Sequence, residues 1–305
     1  MAGDLIKRIL KGDARALASV MTLIEDRDPR GKAVVKAVYS YTGRAHVIGI
    51  TGAAGTGKSS LIDRMTSEYR RRKKRVGILA VDPSSSFSSG ALLGDRIRMR
   101  EHFLDEGVFI RSFATRGKSG GVSAAVRDAI HILDAAGYDV VFVETIGAGQ
   151  DELEVAALAH AVVVVLIARM GDEVQDMKAG LSEIADILVV NKADLSGSDE
   201  TVRQLEASFE DCTVVATSAL NNQGIPLLVD SIDDHRRKSH CNGDDQGKRF
   251  DLCRHELLSL LREKVFTELA KKISDAALEK QVKRVAERRI DPYSAVEEIA
   301  KRVGL

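Results

Sequence analysis

Between residues 46 and 216 the chain passes through seven short apolar, β-branched runs: His46-Val-Ile-Gly-Ile50, Val76-Gly-Ile-Leu-Ala-Val81, Val108-Phe-Ile-Arg111, Val140-Val-Phe-Val-Glu144, Ala161-Val-Val-Val-Val-Leu-Ile-Ala168, Ile187-Leu-Val-Val-Asn191 and Thr213-Val-Val-Ala216. Their apolarity is continuous rather than alternating, so both faces of each run must be covered. Helical stretches separate them, which predicts an α/β fold with a mostly parallel sheet flanked by helices. In such sheets ligands sit beyond the carboxyl ends of the strands, where several of these runs end in polar or glycine-bearing motifs.

Helical material brackets this region. Residues 4–27 repeat apolar positions at helical spacing (Leu5, Ile6, Ile9, Leu10, then Ala16, Leu17, Val20, Leu23 and Ile24), which predicts two amphipathic helices hinged near Gly12-Asp13. The polar stretch His235 to Lys248, with Asn242-Gly-Asp-Asp-Gln-Gly247, reads as a linker. Beyond it Leu252, Leu257, Leu260, Leu261, Val265 and Leu269 keep a helical pattern; Asp291-Pro292 breaks it, and a last helix from about 293 ends at Gly304. These helices carry no chemical motif, so packing or oligomerisation is their expected role. The predicted organisation is an N-terminal helical extension over 1–45, a nucleotide-binding domain over 46–236, and a C-terminal helical region over 237–305.

Charge and composition narrow the partners. The 305 residues hold 45 basic and 45 acidic side chains, so nothing favours wholesale binding to nucleic acid or to anionic lipid. The basic cluster Arg70-Arg-Arg-Lys-Lys-Arg75 is expected to be a solvated helix end whose cations complement the helix dipole. The N-terminus lacks a signal-peptide core, and the longest apolar stretch, 161–168, is too short to cross a bilayer. Cys212, Cys241 and Cys253 show no metal or disulfide spacing, which points to a reducing cytoplasm.

The first chemical motif is Gly52-Ala53-Ala54-Gly55-Thr56-Gly57-Lys58-Ser59, directly after the first apolar run. Glycines at this spacing let backbone N–H groups turn inward around phosphate oxygens, and the following helix adds its positive end. Lys58 reaches the β- and γ-phosphates, the Ser59 hydroxyl joins a Mg²⁺ shell, and Ser60 completes the cradle. The second motif is Asn191-Lys192-Ala193-Asp194, also at a strand end. The Asp194 carboxylate can accept two hydrogen bonds from the N1–H and 2-amino edge of guanine, a donor pair adenine lacks. The stem of Lys192 can lie over the base and Asn191 can brace the loops. Ser218-Ala219-Leu220 suits a loop whose backbone N–H approaches the guanine 6-oxo group. The expected ligand is therefore GTP or GDP. The third element is a pair of acidic strand ends, Asp82 and Glu144, which suit a Mg²⁺ ion on the phosphates. Either acid alone could instead cap a helix. Gly147 allows its N–H to approach a γ-phosphate.

These motifs, together with Val81-Asp-Pro-Ser-Ser85, Gly94-Asp95-Arg96, Glu144-Thr-Ile-Gly-Ala-Gly-Gln150 and Gly171-Asp172-Glu173, resemble in order and spacing the GTPases associated with methylmalonyl-CoA mutase. That family (the MeaB/ArgK type) comprises G-protein chaperones of adenosylcobalamin-dependent acyl-CoA mutases. The resemblance implies a Mg²⁺ environment at Ser59, Asp82, Asp95 and Glu144. It also implies switch segments near Ser84–Arg100, 144–155 and Ala168–Lys178, and a homodimer formed through the C-terminal helices. The chain departs from the family at Arg169-Met170, where a Pro-Gly is usual, and at Ala53-Ala54, where a proline is usual. The implied reaction is Mg²⁺-dependent hydrolysis of GTP. Lys58, Asp95, Arg98 and Lys178 are the candidate catalytic residues, with Arg98 and Lys178 as charge stabilisers that a partner mutase brings into place. Alternative functions for the same motifs are a P-loop kinase, a metal-insertion GTPase and a non-catalytic GDP-binding scaffold.

Overall fold

A computed structural model describes residues 2–82, 102, 104–114, 121–145, 157–168, 184–209, 212–242 and 244–304. Within them all seven apolar runs are strands: β1 (His46–Thr51), β2 (Val76–Asp82), β3 (Val108–Ala114), β4 (Val140–Thr145), β5 (Ala161–Ile167), β6 (Ile187–Asn191) and β7 (Thr213–Ala216). They form one sheet in the order β3-β2-β4-β1-β5-β6-β7, and every pairing is parallel. The described helices are α1 (Ala2–Leu10), α2 (Ala14–Glu25), α3 (Pro29–Val38), α4 (Lys58–Arg71), α5 (Gly121–Ala135), α6 (Ser198–Ser208), α7 (Ile225–Asn242), α8 (Asp244–Lys272), α9 (Asp275–Ala286) and α10 (Pro292–Val303). The expected α/β architecture is what the chain adopts.

The two-residue period of a strand explains the continuous apolar runs. Val47, Leu79, Val81, Val141, Val143, Val162, Val164, Leu188 and Val190 point to one face, where they pack with side chains of α1, α2, α3, α5 and α6. Their neighbours Ile48, Ile50, Ile78, Phe142, Val163, Val165 and Val189 point to the other face, against Leu61, Ile62, Met65 and Tyr69 of α4 and Ile225, Leu228, Val229 and Ile232 of α7. Each such Val, Leu or Ile contributes about 1.5–3 kcal/mol by leaving water. The central strand β1 lies between β4 and β5, so the loop that follows it opens at the middle of the sheet edge.

The hinge between the first two helices falls as expected: Asp13 caps α2 by accepting from the Ala16 N–H and is itself held by Arg8. Two other expectations are corrected. The stretch predicted as a linker is helical, because α7 runs to Asn242 and α8 begins at Asp244. Its polar side chains mark a helix rich in charge, not a break. Two compact units nevertheless divide near that point, Met1–Gln246 and Gly247–Leu305.

The basic cluster is not simply solvated. Arg70 pairs with Asp105 at 2.8 Å, Arg71 and Arg72 pair with Glu68, and Arg72 also reaches Asp230 and Asp233 on α7. Arg75 donates to the Ala136 carbonyl at 2.7 Å and lies 4.3 Å from the Tyr138 ring centre. The cluster thus fastens α4 to its surroundings. The buried Glu68 carboxyl is held down to about 2, chiefly by Arg71 and then by Arg72 against the opposing cost of burial. A carboxylate lowered in the folded state stabilises the protein above its unfolded pKa of about 4.3, and that stability is lost as pH falls towards the folded value. Glu68→Gln is expected to cost about 2 kcal/mol at neutral pH and to flatten the fall of Tm between pH 5 and pH 3. Identical slopes in wild type and variant would remove this assignment.

In the second unit, Ser274 caps α9 and Asp291 caps α10. Arg284 and Gln281 of α9 both donate to Glu298 of α10, at 2.6 and 2.8 Å. The unit leaves Phe250, Leu257, Leu261, Phe266 and Tyr293 exposed. Among the described residues no helix is long and apolar enough to cross a membrane.

Candidate nucleotide-binding site

The loop after β1 is shaped by two glycines with positive φ. Gly52 has φ 132°, and a Cβ there would stand 2.2 Å from the Val165 carbonyl oxygen of β5. Gly57 has φ 94°, and its Cβ would meet the Asn191 Nδ2 at 2.5 Å. Only glycine satisfies both the backbone angle and the space. Gly57 is also the N-cap of α4 and offers no side-chain acceptor, so the first N–H groups of the helix face the loop. Lys58 is buried and bends back over the loop, donating from Nζ to the carbonyls of Gly52 at 2.7 Å and Ala53 at 3.0 Å. Thr56 braces the same turn through its Oγ1, 3.0 Å from the Ala53 carbonyl. Ala54, Gly55 and Ser60 are exposed. The result is a glycine-bearing turn with an ammonium held against it and the uncapped start of α4 beside it, a combination suited to an anion.

The acidic side of the loop comes from β4. Parallel register sets Glu144 opposite Ile50, and the Ser59 hydroxyl donates to Glu144 Oε1 at 2.6 Å. Glu144 is buried within a strand, so it is not a helix cap. A hydroxyl and a carboxylate oxygen brought together beside a phosphate-shaped loop fit the hard-oxygen donor set of Mg²⁺. Asp82 closes β2 at the same edge of the sheet, since Val81 is in register with Thr145. Below this layer Thr145 donates to Thr51 at 3.2 Å, which ties the ends of β4 and β1. Asp95, Arg98, Gly147 and Lys178 lie outside the described residues, as do most of the three expected switch segments.

The other side of the site comes from the ends of β6 and β7. Asn191 is buried and joins three segments: its Nδ2 donates to the Thr56 carbonyl at 2.8 Å, and its Oδ1 accepts from Thr217 Oγ1 at 3.1 Å and from the Ala219 N–H at 3.3 Å. Lys192, with φ 57°, reaches back to the Gly55 carbonyl at 2.8 Å. Ser218 donates from its hydroxyl to Asp194 Oδ1 at 2.5 Å, which orients an exposed carboxylate. The Ser218–Gln223 backbone pair closes the following loop, whose tip presents Leu220. Of the expected nucleotide-binding residues, the structure brings Gly52–Ser59, Asn191, Lys192, Asp194, Ser218 and Ala219 to one edge of the sheet. It adds Thr217 and Arg64, whose Nε donates to the Ala219 carbonyl at 3.1 Å. Thr217 could have been found from its place before Ser218. Nothing in the spacing marks Arg64.

The family profile described as methylmalonyl-CoA mutase-associated GTPase MeaB matches residues 17–274. The chain belongs to the methylmalonyl-CoA mutase-associated GTPase family. A relative from Pyrococcus abyssi, provisionally named a GTPase, is 42% identical over 99% of this chain and 97% of its own. GTPase ArgK of Escherichia coli is 40% identical over 62% of this chain and 58% of its own. The crystal structure of a LAO/AO transport system kinase superposes with a TM-score of 0.75 at 27% identity, covering 100% of this chain and 98% of that one. Membership of the methylmalonyl-CoA mutase-associated GTPase family implies GTP or GDP as the bound nucleotide. In the structure Asn191 joins the loop after β1 to the segment after β7.

Proposed function

We propose that this chain is a cytoplasmic, GTP-hydrolysing chaperone that gates cofactor loading into, and protects, an adenosylcobalamin-dependent acyl-CoA mutase. The observation that carries the GTPase part is the Asn191 amide, which fixes the base-reading loops to the phosphate loop. The family profile supports the link to a mutase. Gly52 to Ser60 hold the triphosphate through backbone N–H groups, and Lys58 neutralises charge that develops on the β- and γ-phosphoryl oxygens as water attacks in line. Asp194 accepts from the guanine N1–H and 2-amino group while Lys192 covers the base. The Ala219 N–H turns to the 6-oxo group, with Ser218 and Leu220 shaping its loop. Ser59, Asp82, Asp95 and Glu144 would hold Mg²⁺, which would supply Lewis-acid charge neutralisation at the phosphates. The Gly147 N–H meets the γ-phosphate, and Arg98 and Lys178 stabilise charge when the mutase docks.

The domain division is read as a helical extension over 1–45, the GTPase domain over 46–236 and a dimerisation region over 237–305. The exposed Phe250, Leu257, Leu261 and Phe266 support a homodimer formed through the last of these. Neither nucleic acid nor membrane takes part.

Phosphate release measured from GTP and from ATP, with and without the mutase copurified from the native host, tests the proposal. GTP turnover alone is expected to be slow and to rise at least about tenfold with the mutase, as when a partner completes a phosphoryl-transfer site. Equal rates with and without it would remove the chaperone reading.

A further inference from the structure

Arg64 lies on α4, six residues beyond Lys58 and so on the helix that begins the phosphate site. It is half-buried, and its Nε donates to the carbonyl of Ala219 at 3.1 Å, across 155 residues of sequence. Ala219 is thereby gripped at both ends: its N–H points to Asn191 Oδ1 at 3.3 Å and its carbonyl is held by Arg64. The rest of the loop is closed independently. Ser218 and Gln223 exchange two backbone hydrogen bonds of 3.0 Å, and the Asn221 N–H donates to Ser218 Oγ at 3.3 Å. What Arg64 adds is therefore not closure of the loop but the orientation of one residue within it.

We propose that Arg64 is a positioning residue for base recognition, holding the Ala219 carbonyl and with it the turn from which the Ala219 N–H, here on Asn191 Oδ1, reaches the 6-oxo group of the purine. This rests on the reading that Asp194 and the 218–220 loop receive guanine. Arg64 touches no reacting atom. Its effect falls on nucleotide affinity and not on the chemical step.

The donor atom is Nε, which dictates the variants. Glutamine places its Nε2–H₂ at the same position along the side chain, whereas methionine places a methyl group there and lysine carries its ammonium one atom further out. Titration calorimetry with GDP, IDP and ADP, together with GTP turnover, provides the test. IDP keeps the 6-oxo group and lacks the 2-amino group. Arg64→Met is expected to weaken GDP and IDP by the same factor, about tenfold for a lost charged hydrogen bond, and to raise KM with kcat unchanged. Arg64→Gln is expected to recover most of the affinity. Unchanged GDP affinity in Arg64→Met would overturn the proposal. So would a loss confined to GDP, which places the effect at the 2-amino contact of Asp194, or rescue by Arg64→Lys but not by Arg64→Gln, which assigns it to charge alone. If wild-type protein binds ADP as tightly as GDP, the guanine reading itself fails, and that result is separate from any effect of Arg64.

Discussion

Lys58→Ala should reduce GTP turnover at saturating nucleotide by at least about a thousandfold, the usual consequence of removing a preorganised charge from a phosphoryl-transfer site. The geometry says why no neighbour can substitute. The two carbonyls of Gly52 and Ala53 hold the Lys58 ammonium against the loop, and the side chain is buried there. Alanine also strips those carbonyls of their donor, at a cost of about 1–3 kcal/mol in stability. The sheet and α4 have their own cores, so the variant should stay folded. Single-turnover phosphate release separates the chemical defect from weakened binding, and circular dichroism checks the fold. A variant that keeps a tenth of the wild-type rate would show that Lys58 does not carry the charge stabilisation assigned to it.

Asp194→Asn should exchange guanine for xanthine. The carboxylate accepts from two donors on guanine, and an amide in its place sets an N–H₂ against one of them, so GDP affinity should fall by about 100- to 1000-fold. Xanthine carries an oxo group where guanine has its amine, and the new amide donor suits it. The hydroxyl of Ser218 can still donate to the remaining amide oxygen, as it now donates to Asp194 at 2.5 Å, so the loop should keep its form. Competition between GDP and XDP reads the switch directly. If affinity for both falls equally, Asp194 supports the loop and does not read the base.

Much of this was legible because it depends on local chemistry. Continuous runs such as 161–168 can only be strands covered twice, and the glycines at 52 and 57 can only serve a turn of positive φ. Asn191 could be recognised as a brace from its motif. What could not be read were contacts whose partners lie far apart in sequence and follow no spacing rule. Arg64 meets Ala219 because α4 happens to pass the end of β7, and Arg72 meets Asp230 and Asp233 because α7 lies beside α4. The basic run at 70–75 looked like surface for the same reason: apart from the neighbouring Glu68, the carboxylates it meets (Asp105, Asp139, Asp230 and Asp233) sit elsewhere in the chain. The supposed linker misled because polarity and one Gly-Asp-Asp segment resemble a loop, whereas α7 runs through that polar stretch to Asn242 and α8 begins at Asp244.

The sheet order carries a consequence for how the molecule is made. Ser59 finds Glu144 across 85 residues, and Asn191 reaches the Thr56 carbonyl across 135. The chain leaves the ribosome with its phosphate loop first and the parts that seat it last. Closing loops of that length precedes any reward from the contacts they bring. During synthesis, then, residues 52–59 are a glycine-rich turn without a site around it, and nucleotide cannot assist the folding of the first half. Recognition of the base becomes possible only after β7 and the loop beyond it have joined the sheet, which makes the acquisition of guanine nucleotide a late event in the life of each new molecule.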